Sequence, residues 1–410
     1  GAAGYLAYEW SRTLERLPAA RYDDLALPDV VIGVYDWVLA WDHAAKCAWI
    51  ISTGLPETGA AARTRRAAQR LTFIRDRLAR APGVPAPVRG ASPTVAAAPS
   101  FAVDGSWGEP PLALRSSFTR AAYVDAVARV REYILAGDIF QANLSQRFEA
   151  PLGEPPWAVY QRLRARNAAP FAAYVDFPEA TILSASPERF LRVDPAGRVE
   201  TRPIKGTRPR GDSPEHDAAL GRALVESAKD RAENLMIVDL MRNDLSRACA
   251  PGTVRVPELF ALEQYATVHH LVSTVIGELA PGADAFDLMR AAFPGGSITG
   301  APKVRAMEII AELEPSARGV YCGAIGYWSA TGATDTSIAI RTAVARGGRL
   351  YFSAGGGIVA DSDPEGEYGE TLDKARGMVA ALRVDVPRVD VPRVGVPRGA
   401  SRDAAPAATR

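Results

Sequence analysis

Residues 320–353 read VYCGAIGYWSATGATDTSIAIRTAVARGGRLYFS, and this stretch is the clearest indication of the fold class. Runs rich in β-branched and aromatic residues, separated by glycine-bearing turns, predict strands at 320–329, 336–345 and 350–353. Apolar periodicity in the surrounding sequence predicts helices at 217–227, 230–240, 303–313 and 367–382. Because strands and helices mix without a regular strand–helix–strand repeat, the pattern favours an α+β fold with large antiparallel sheets.

The rest of the chain divides into three regions by composition. Residues 1–100 predict a hairpin from 30–41 and 47–53, then a helix near 60–80, and end in a Pro/Ala-rich linker at 81–100. Residues 101–383 form the predicted catalytic domain, and the Val-Pro-Arg repeats of 384–410 predict a disordered tail. The start at Gly1 has no initiator Met, basic segment or cleavage site, so we expect a truncated N-terminus rather than a signal peptide.

Composition narrows the class of protein. The 410 residues include 48 Lys and Arg against 47 Asp and Glu, a balance that argues against nucleic-acid binding and against a polybasic membrane surface. Cys47, Cys249 and Cys322 lie far apart, which excludes a disulfide framework and a structural zinc site and is typical of a reducing compartment. The most apolar stretch is too short to cross a bilayer. We therefore expect a soluble cytoplasmic protein.

A strand with one unusually polar face is predicted after residue 137. An amphipathic helix containing Tyr123 and Ile134 ends at Gly137, and residues 138–148 then alternate. One face carries Gln141, Asn143, Ser145 and Arg147. That face either meets solvent or lines a polar cavity.

Two acidic clusters lie on predicted helices. Asp230 and Glu233 share a face of an apolar helix that is expected to be largely buried, so they either form salt bridges with Lys229, Arg231 or Arg242 or bind a metal. Glu367 and Glu370 share a face with Lys374. Helix-dipole stabilisation explains Glu367 better than Glu370, and two separated carboxylate sites are also how Mg²⁺ is commonly held.

Three glycine-rich segments, at 205–211, 294–300 and 354–357, are predicted to be loops able to surround an anion. None matches the phosphate-binding P-loop, so nucleotide binding has little support. Arg208, Lys303 and Arg341 lie near them in sequence as candidate partners for a substrate carboxylate. If His269 and His270 lie on a strand, they point to opposite faces, and at most one of them meets a given pocket.

Read together, five motifs resemble those of the chorismate-utilising enzymes. They are PIKGTRPR at 203–210, DRAENLMIVDLMRND at 230–244, HHLVS at 269–273, FPGGSITGAPKVRAM at 293–307 and AGGGIVADSDPEGEYGETLDK at 354–374. Their order and length make chance similarity negligible, and within the family they are most similar to the aminodeoxychorismate synthase branch. The resemblance implies a sandwich of two large antiparallel β-sheets with helices packed outside.

The resemblance also implies roles for individual residues. Glu233 and Glu370 match the ligands of a Mg²⁺ ion that binds the ring carboxylate, with Glu367 a further acidic residue near the metal. Glu188 matches the general acid that protonates the departing 4-hydroxyl, and Lys205 matches a lysine that attacks ring C2. The implied substrate-binding residues are Gln141, Thr207, His270, Ser297, Tyr327, Arg341, Gly355, Gly357 and Lys374.

Two positions distinguish branches of the family. Anthranilate synthases have Ala where this chain has Lys205, and isochorismate and salicylate synthases have a water-activating Lys where it has Gln141. The resemblance therefore implies that ammonia is the incoming group and that chorismate becomes 4-amino-4-deoxychorismate, the precursor of p-aminobenzoate and folate. Lys205 must be neutral to attack, which requires desolvation or a neighbouring cation such as Arg208 to lower its pKa.

A source of ammonia is not evident in the chain. No cysteine lies in a Gly-x-Cys-x-Gly nucleophile elbow, so a separate glutamine amidotransferase subunit is implied. Two alternatives remain open: anthranilate synthase component I, and a non-catalytic scaffold that binds and activates a glutaminase.

Overall fold

A computed structural model describes residues 1–80, 97–103, 113–265 and 268–382. The α-helices run Ala60–Ala79 (α1), Arg120–Leu135 (α2), Pro156–Arg166 (α3), Pro214–Glu226 (α4), Ala228–Ser246 (α5), Ala285–Ala292 (α6), Lys303–Leu313 (α7) and Pro364–Ala381 (α8). Short 3₁₀ helices occupy Tyr8–Thr13 and Gly296–Ile298. The tail predicted at 384–410 and most of the linker predicted at 81–100 lie outside the described residues.

Strands make up two large sheets and one hairpin. They run Ala2–Leu6 (β1), Val30–Val34 (β2), Trp37–Asp42 (β3), Cys47–Ser52 (β4), Phe101–Ala102 (β5), Arg115–Ser116 (β6), Gln141–Pro151 (β7), Phe171–Phe177 (β8), Ala180–Ser186 (β9), Arg189–Val193 (β10), Arg198–Thr201 (β11), Ile204–Pro209 (β12), Arg255–Gln264 (β13), Val268–Glu278 (β14), Gly300–Ala301 (β15), Ala324–Trp328 (β16), Thr334–Ile338 (β17), Thr342–Arg346 (β18) and Arg349–Ile358 (β19).

The larger sheet has the order β12-β14-β11-β10-β17-β16-β1-β2, with β13 also paired to β14. The smaller has the order β5-β6-β7-β19-β18-β9-β8, with β15 also paired to β7. Pairing between these named strands is antiparallel throughout the described residues. Strands β1 and β2, which precede residue 100, are thus part of the same sheet as β16.

Buried side chains show how the layers stack. Tyr5 and Ile325 of the larger sheet pack against Ile182 and Val344 of the smaller sheet, so the two sheets face each other. Helices α5 and α6 cover the larger sheet, and α2, α3, α7 and α8 cover the smaller one. The expected α+β sandwich of two antiparallel sheets with outer helices is confirmed.

Most of the predicted helices are found, and capping explains where they begin. Helix α7 occupies the predicted range 303–313, while α5 and α8 begin two and three residues earlier than predicted. The Ser227 hydroxyl accepts a hydrogen bond from the Asp230 N–H, and the Asp363 carboxylate accepts one from the Gly366 N–H. Such N-cap residues fix a helix start more sharply than apolar periodicity does.

Three predictions about local structure were wrong. Residues 336–345 form two strands rather than one, because the chain turns between β17 and β18 at Arg341, whose φ is 48°. The glycine-rich segment 354–357 lies within β19, and residues 205–209 lie within β12, so neither is a loop. Helix α5 is buried on one face only, with Leu235 46% exposed, because its other face is at the surface.

Candidate active site

Strands β12 and β14 bring Lys205, Thr207 and His270 together. Thr207 lies opposite His270 in the strand pair, and its hydroxyl is 2.9 Å from His270 Nδ1. The pairing shifts register between Ile204 and Thr207, where Gly206 has φ 88°. A Cβ at Gly206 would also lie 2.9 Å from Leu224 and 3.1 Å from Asp230. Glycine is therefore required at this bulge, which aims Lys205 toward the facing sheet.

Gln141 reaches Lys205 from the smaller sheet. If Gly357 carried a Cβ, that atom would overlap the side-chain nitrogen of Gln141 and lie 3.5 Å from Lys205 Nζ. The side chains of Gln141 and Lys205 therefore both lie against this glycine. Gln141 is fully buried, yet neither its Oε1 nor its Nε2 has a hydrogen-bond partner among the described residues. Of the two possibilities for this polar face, exposure to solvent is wrong, because Gln141, Asn143 and Ser145 are each at most 6% exposed. The unpartnered amide of Gln141 is therefore available to a polar ligand.

Burial shifts the acid–base equilibrium of Lys205 toward the neutral amine. It lowers the pKa of the amine by disfavouring the ammonium form, while the carboxylates of Glu233 and Glu188 oppose the shift and Lys374 adds to it. The expectation that desolvation lowers this pKa is supported, but Arg208 is not the neighbouring cation. Its guanidinium is 2.9 Å from Asp230, which neutralises it.

Glu188 lies between β9 and β10 and is 4% exposed. Burial raises the pKa of its carboxyl to about 7, whereas the Ser297 hydroxyl and the Lys205 ammonium oppose that shift. The Ile204 N–H is 3.5 Å from Glu188 Oε1. Ser297 Oγ makes no hydrogen bond of normal geometry among the described residues, although it is close enough to influence Glu188. The site therefore contains a carboxyl that keeps its proton near neutral pH.

Three carboxylates from α5 and α8 lie near this site, and the charges of Glu233 and Glu370 act on Lys205. A Cβ at Gly356 would lie 3.0 Å from Glu367 Oε2 and 3.5 Å from Glu370 Oε1. Burial raises the pKa of Glu233, and the negative charge of Glu370 adds to this effect, so the two carboxylates interact. Glu370 is about half exposed, and its 2.6 Å ion pair with Lys374 keeps its pKa below the usual value.

These carboxylates fit a Mg²⁺ ion whose coordination is completed by waters and an anionic substrate. No group of three or more His, Cys, Asp or Glu side chains among the described residues is arranged to hold a metal without help. Mg²⁺, however, is typically bound through one or two carboxylates, with waters and an anionic substrate completing the octahedron. Glu233 and Glu370 would supply such a pair, and Glu367 Oε1 accepts a 2.6 Å hydrogen bond from the Ser362 hydroxyl.

Arg341 and His270 lie close enough together for the guanidinium charge to act on the imidazole. Burial and the nearby Arg341 guanidinium lower the pKa of His270 to about 4, so the imidazole is neutral at physiological pH. Burial also lowers the pKa of Arg341. Lys303 is 2.6 Å from Asp244 and Arg208 is paired with Asp230, so of the three candidate carboxylate-binding cations only Arg341 has no ion-pair partner in the described part of the chain.

Of the remaining candidates, Lys374 and Gly355 lie beside Glu370, whereas Tyr327 lies apart from them on β16. Lys374 donates a 2.8 Å hydrogen bond to the Gly355 carbonyl, which places both beside Glu370. Tyr327 is 48% exposed on β16, opposite Asp335, and no described contact joins it to the other candidates. The two histidines point to opposite faces, as predicted: His269 contacts Asp217 at 2.8 Å, and His270 contacts Thr207 at 2.9 Å.

Sequence reasoning treated Lys229 as a salt-bridge partner on its own helix and not as part of the candidate site. Its charge lowers the pKa values of Glu233, Glu367 and Glu370, so it belongs to the electrostatic surroundings of all three. The only sequence feature that indicates this role is the position of Lys229 next to Asp230 on an acidic helix. That feature indicates a local ion pair just as well as a role in the site.

A family model described as chorismate binding enzyme matches residues 1–380. The chain belongs to the chorismate-binding enzyme family. This chorismate-binding enzyme is 47% identical over 382 residues to aminodeoxychorismate synthase component 1 of Salmonella typhimurium, covering 93% of the chain and 76% of the relative. It is 44% identical over 385 residues to anthranilate synthase component 1 of Streptomyces coelicolor, covering 93% and 73%.

A solved structure agrees with the fold. The crystal structure of anthranilate synthase component I from Streptococcus pneumoniae superposes on this chorismate-binding enzyme with a TM-score of 0.77 at 35% identity, covering 92% of the chain and 80% of that structure. Among the described residues, no helix is both long enough and apolar enough to cross a membrane.

Proposed function

We propose that the chain is the synthase component of aminodeoxychorismate synthase, which converts chorismate and ammonia to 4-amino-4-deoxychorismate and water for p-aminobenzoate and folate synthesis. The observation that supports this most strongly is the proximity of Lys205 to Glu188, since the charge of each acts on the pKa of the other. Burial favours the neutral amine of Lys205 and the protonated carboxyl of Glu188. A neutral amine can act as a nucleophile, and a protonated carboxyl can act as a general acid.

In the first step, Lys205 Nζ forms a bond to ring C2 while the C4–O bond breaks. The two ring double bonds, C1=C2 and C5=C6, become C1=C6 and C4=C5, and Glu188 gives its proton to the departing hydroxyl, which leaves as water. Lys205 then carries a positively charged secondary amine, and Glu188 is a carboxylate. The positive charge on Lys205 and the negative charge on Glu188 arise in the same step, so each stabilises the other.

In the second step, ammonia attacks C4, the C2–N bond breaks, and Lys205 leaves as a neutral amine. The new C4 ammonium group gives one proton to the Glu188 carboxylate, which restores the starting enzyme. The neutral amide of Gln141 cannot act as a base toward water, which is consistent with ammonia rather than hydroxide as the nucleophile.

Binding of the substrate carboxylates is assigned to groups of opposite charge. Arg341 has no ion-pair partner among the described residues and suits a carboxylate by bidentate hydrogen bonding. Glu233 and Glu370, with Glu367 nearby, would hold Mg²⁺. When bound, the ion supplies positive charge that neutralises the ring carboxylate beside these acidic residues.

The nitrogen would come from a separate glutamine amidotransferase subunit. Burial raises the pKa values of Cys249 and Cys322 to about 11 and about 12, so neither thiol is a thiolate near neutral pH. Cys47 lies opposite Asp42 in the β3–β4 hairpin rather than at a nucleophile elbow. The name "component 1" carried by the relatives also indicates an enzyme of more than one component.

Anthranilate synthase component I is the second candidate, supported by the 44% identity to the Streptomyces coelicolor enzyme. Lys205 argues against it, since the family resemblance places Ala at this position in anthranilate synthases. A lysine amine beside a protonated carboxyl has no evident use in direct attack of ammonia at C2.

The test is to identify the product. Purified protein is incubated with chorismate, Mg²⁺ and an ammonium salt, and the product is identified by mass and chromatographic retention. We expect 4-amino-4-deoxychorismate, loss of turnover in excess chelator and its return with Mg²⁺. Anthranilate as the main product would establish the second candidate, and full activity in chelator would refute the metal assignment.

A further inference from the structure

A buried ion pair at the end of α7 is not used by the proposed chemistry. Arg318 binds the Glu314 carboxylate through two hydrogen bonds, of 2.9 Å from Nε and 2.7 Å from Nη2. The side chains are only 3% and 6% exposed. A buried ion pair gains little stability over an apolar pair of the same shape, because both charges lose their hydration. Its presence here calls for a further reason.

The second set of Arg318 contacts provides that reason. Nη1 donates to the Ile298 carbonyl at 2.9 Å, and Nη2 donates to the Asn143 carbonyl at 2.6 Å. Ile298 directly follows Ser297, and Asn143 lies opposite Gly357 on the strand that begins at Gln141. One guanidinium therefore joins the turn beside Glu188 to the strand pair beside Lys205.

Glu314 holds the guanidinium in place. Its Oε1 also accepts hydrogen bonds from the N–H and hydroxyl of Ser145, at 2.8 Å and 2.9 Å, which ties the carboxylate to β7. The Tyr8 ring lies against the guanidinium, with its centroid 4.7 Å from Arg318 Cζ. Lysine cannot reproduce this planar, multiply bonded arrangement, because its ammonium is a compact point charge on a flexible chain.

We propose that Arg318, oriented by Glu314, is a positioning residue that sets the separation between the Ser297 turn and the Gln141–Asn143 segment of β7. The inference rests on the proposed function, in which Glu188 and Lys205 act on C4 and C2 of the same ring. A displacement of about 1 Å between reacting groups can reduce a rate by about 10²-fold. The bridge therefore matters for turnover as well as for stability.

The test compares two Arg→Lys variants. Arg162 on α3 is the control: like Arg318 it binds a carboxylate, that of Glu154, and a backbone carbonyl, that of Ala381 at 2.9 Å, but it packs on the outer side of the smaller sheet. We expect R318K to lower kcat by at least about tenfold, and to raise the chorismate Kd by about threefold, since Ser297 and Gly357 shift together. R162K should stay within about twofold of wild type, with thermal melts correcting for the folded fraction.

A second variant separates positioning from folding. R318M/E314L removes both charges together, so it avoids leaving one of them buried and unpaired. We expect it to fold and to remain at least about tenfold below wild type in kcat. Wild-type kcat in this variant, or equal losses in R318K and R162K, would overturn the inference. A wild-type protein that makes no aminodeoxychorismate would instead refute the proposed function, and the chorismate Kd values of R318K and R162K would still test the role of Arg318.

Discussion

The amine of Lys205 and the carboxyl of Glu188 lie close enough for each to alter the pKa of the other. Their mutual attraction favours the charged forms, whereas burial favours the neutral ones. Burial has the larger effect on both residues, so the pKa of Glu188 rises to about 7 and that of Lys205 falls. The neutral pair is the one that the proposed reaction requires.

This balance predicts a pH dependence. Glu188 works as an acid only while protonated, so kcat/KM for chorismate, at constant free ammonia, should fall as the pH rises through about 7. The Ser297 hydroxyl lowers this pKa. Replacing Ser297 with Ala should therefore move the alkaline limb of the pH profile to higher pH, and an unmoved limb would contradict the role assigned to Glu188.

Among the elements, α5 and α7 are joined by a buried ion pair that also supports the loop leading to Ser297. Lys303 Nζ is 2.6 Å from Asp244 and donates to the carbonyls of Ala292 and Pro294, at 2.7 Å and 2.8 Å. All three of its donors are satisfied, which explains why a lysine is tolerated at a buried helix start.

Removing this lysine should destabilise the fold. Lys303→Met leaves the Asp244 carboxylate, 2% exposed, without its partner, and we expect a loss of about 3–5 kcal/mol in the free energy of unfolding. Urea denaturation measures this change. Arg242→Ala, which disrupts an exposed pair with Asp239, is the control and should leave the free energy of unfolding nearly unchanged. Equal effects of the two substitutions would show that the Lys303 pair is not a structural anchor.

Sequence patterns predicted helix α7 correctly but predicted a loop where strand β19 lies. Helix α7 follows apolar periodicity from Lys303 to Leu313 and was located correctly. Gly355 and Gly357 predicted a loop because glycine usually weakens strands, but in β19 the missing side chains make room for Ser145 and Gln141. That reason lies on a neighbouring strand, and local sequence cannot reveal it.

At the scale of the whole molecule, the site forms only when both sheets and two outer helices come together. Lys205 comes from the larger sheet, Gln141 from the smaller one, and Glu233 and Glu370 from α5 and α8. Charge spacing alone left salt bridges and metal binding as alternatives for Asp230 and Glu233, and helix-dipole stabilisation and metal binding as alternatives for Glu367 and Glu370. Only the family resemblance linked these distant segments in advance, because local patterns contain no information on how strands pair across the chain.

The cysteines of the chain predict which nitrogen donor the isolated protein uses. The two buried thiols have pKa values too high for thiolate formation at neutral pH, so the isolated chain should use ammonium and not glutamine. An assay with either nitrogen donor at saturating chorismate checks this expectation. Turnover of glutamine by highly purified protein, with no second subunit added, would refute it.

The central claim is that Lys205 forms a bond to the substrate, and the rates of Lys205→Arg and Lys205→Ala test it most directly. If Lys205 only balances charge, Arg should preserve most activity. If Lys205 is the nucleophile, both variants should lose at least about 10²-fold in aminodeoxychorismate formation, because a guanidinium stays protonated and Ala has no amine. Any residual product of the Ala variant should be aminated at C2 and resemble anthranilate. Wild-type rates of aminodeoxychorismate formation in both variants would contradict the account.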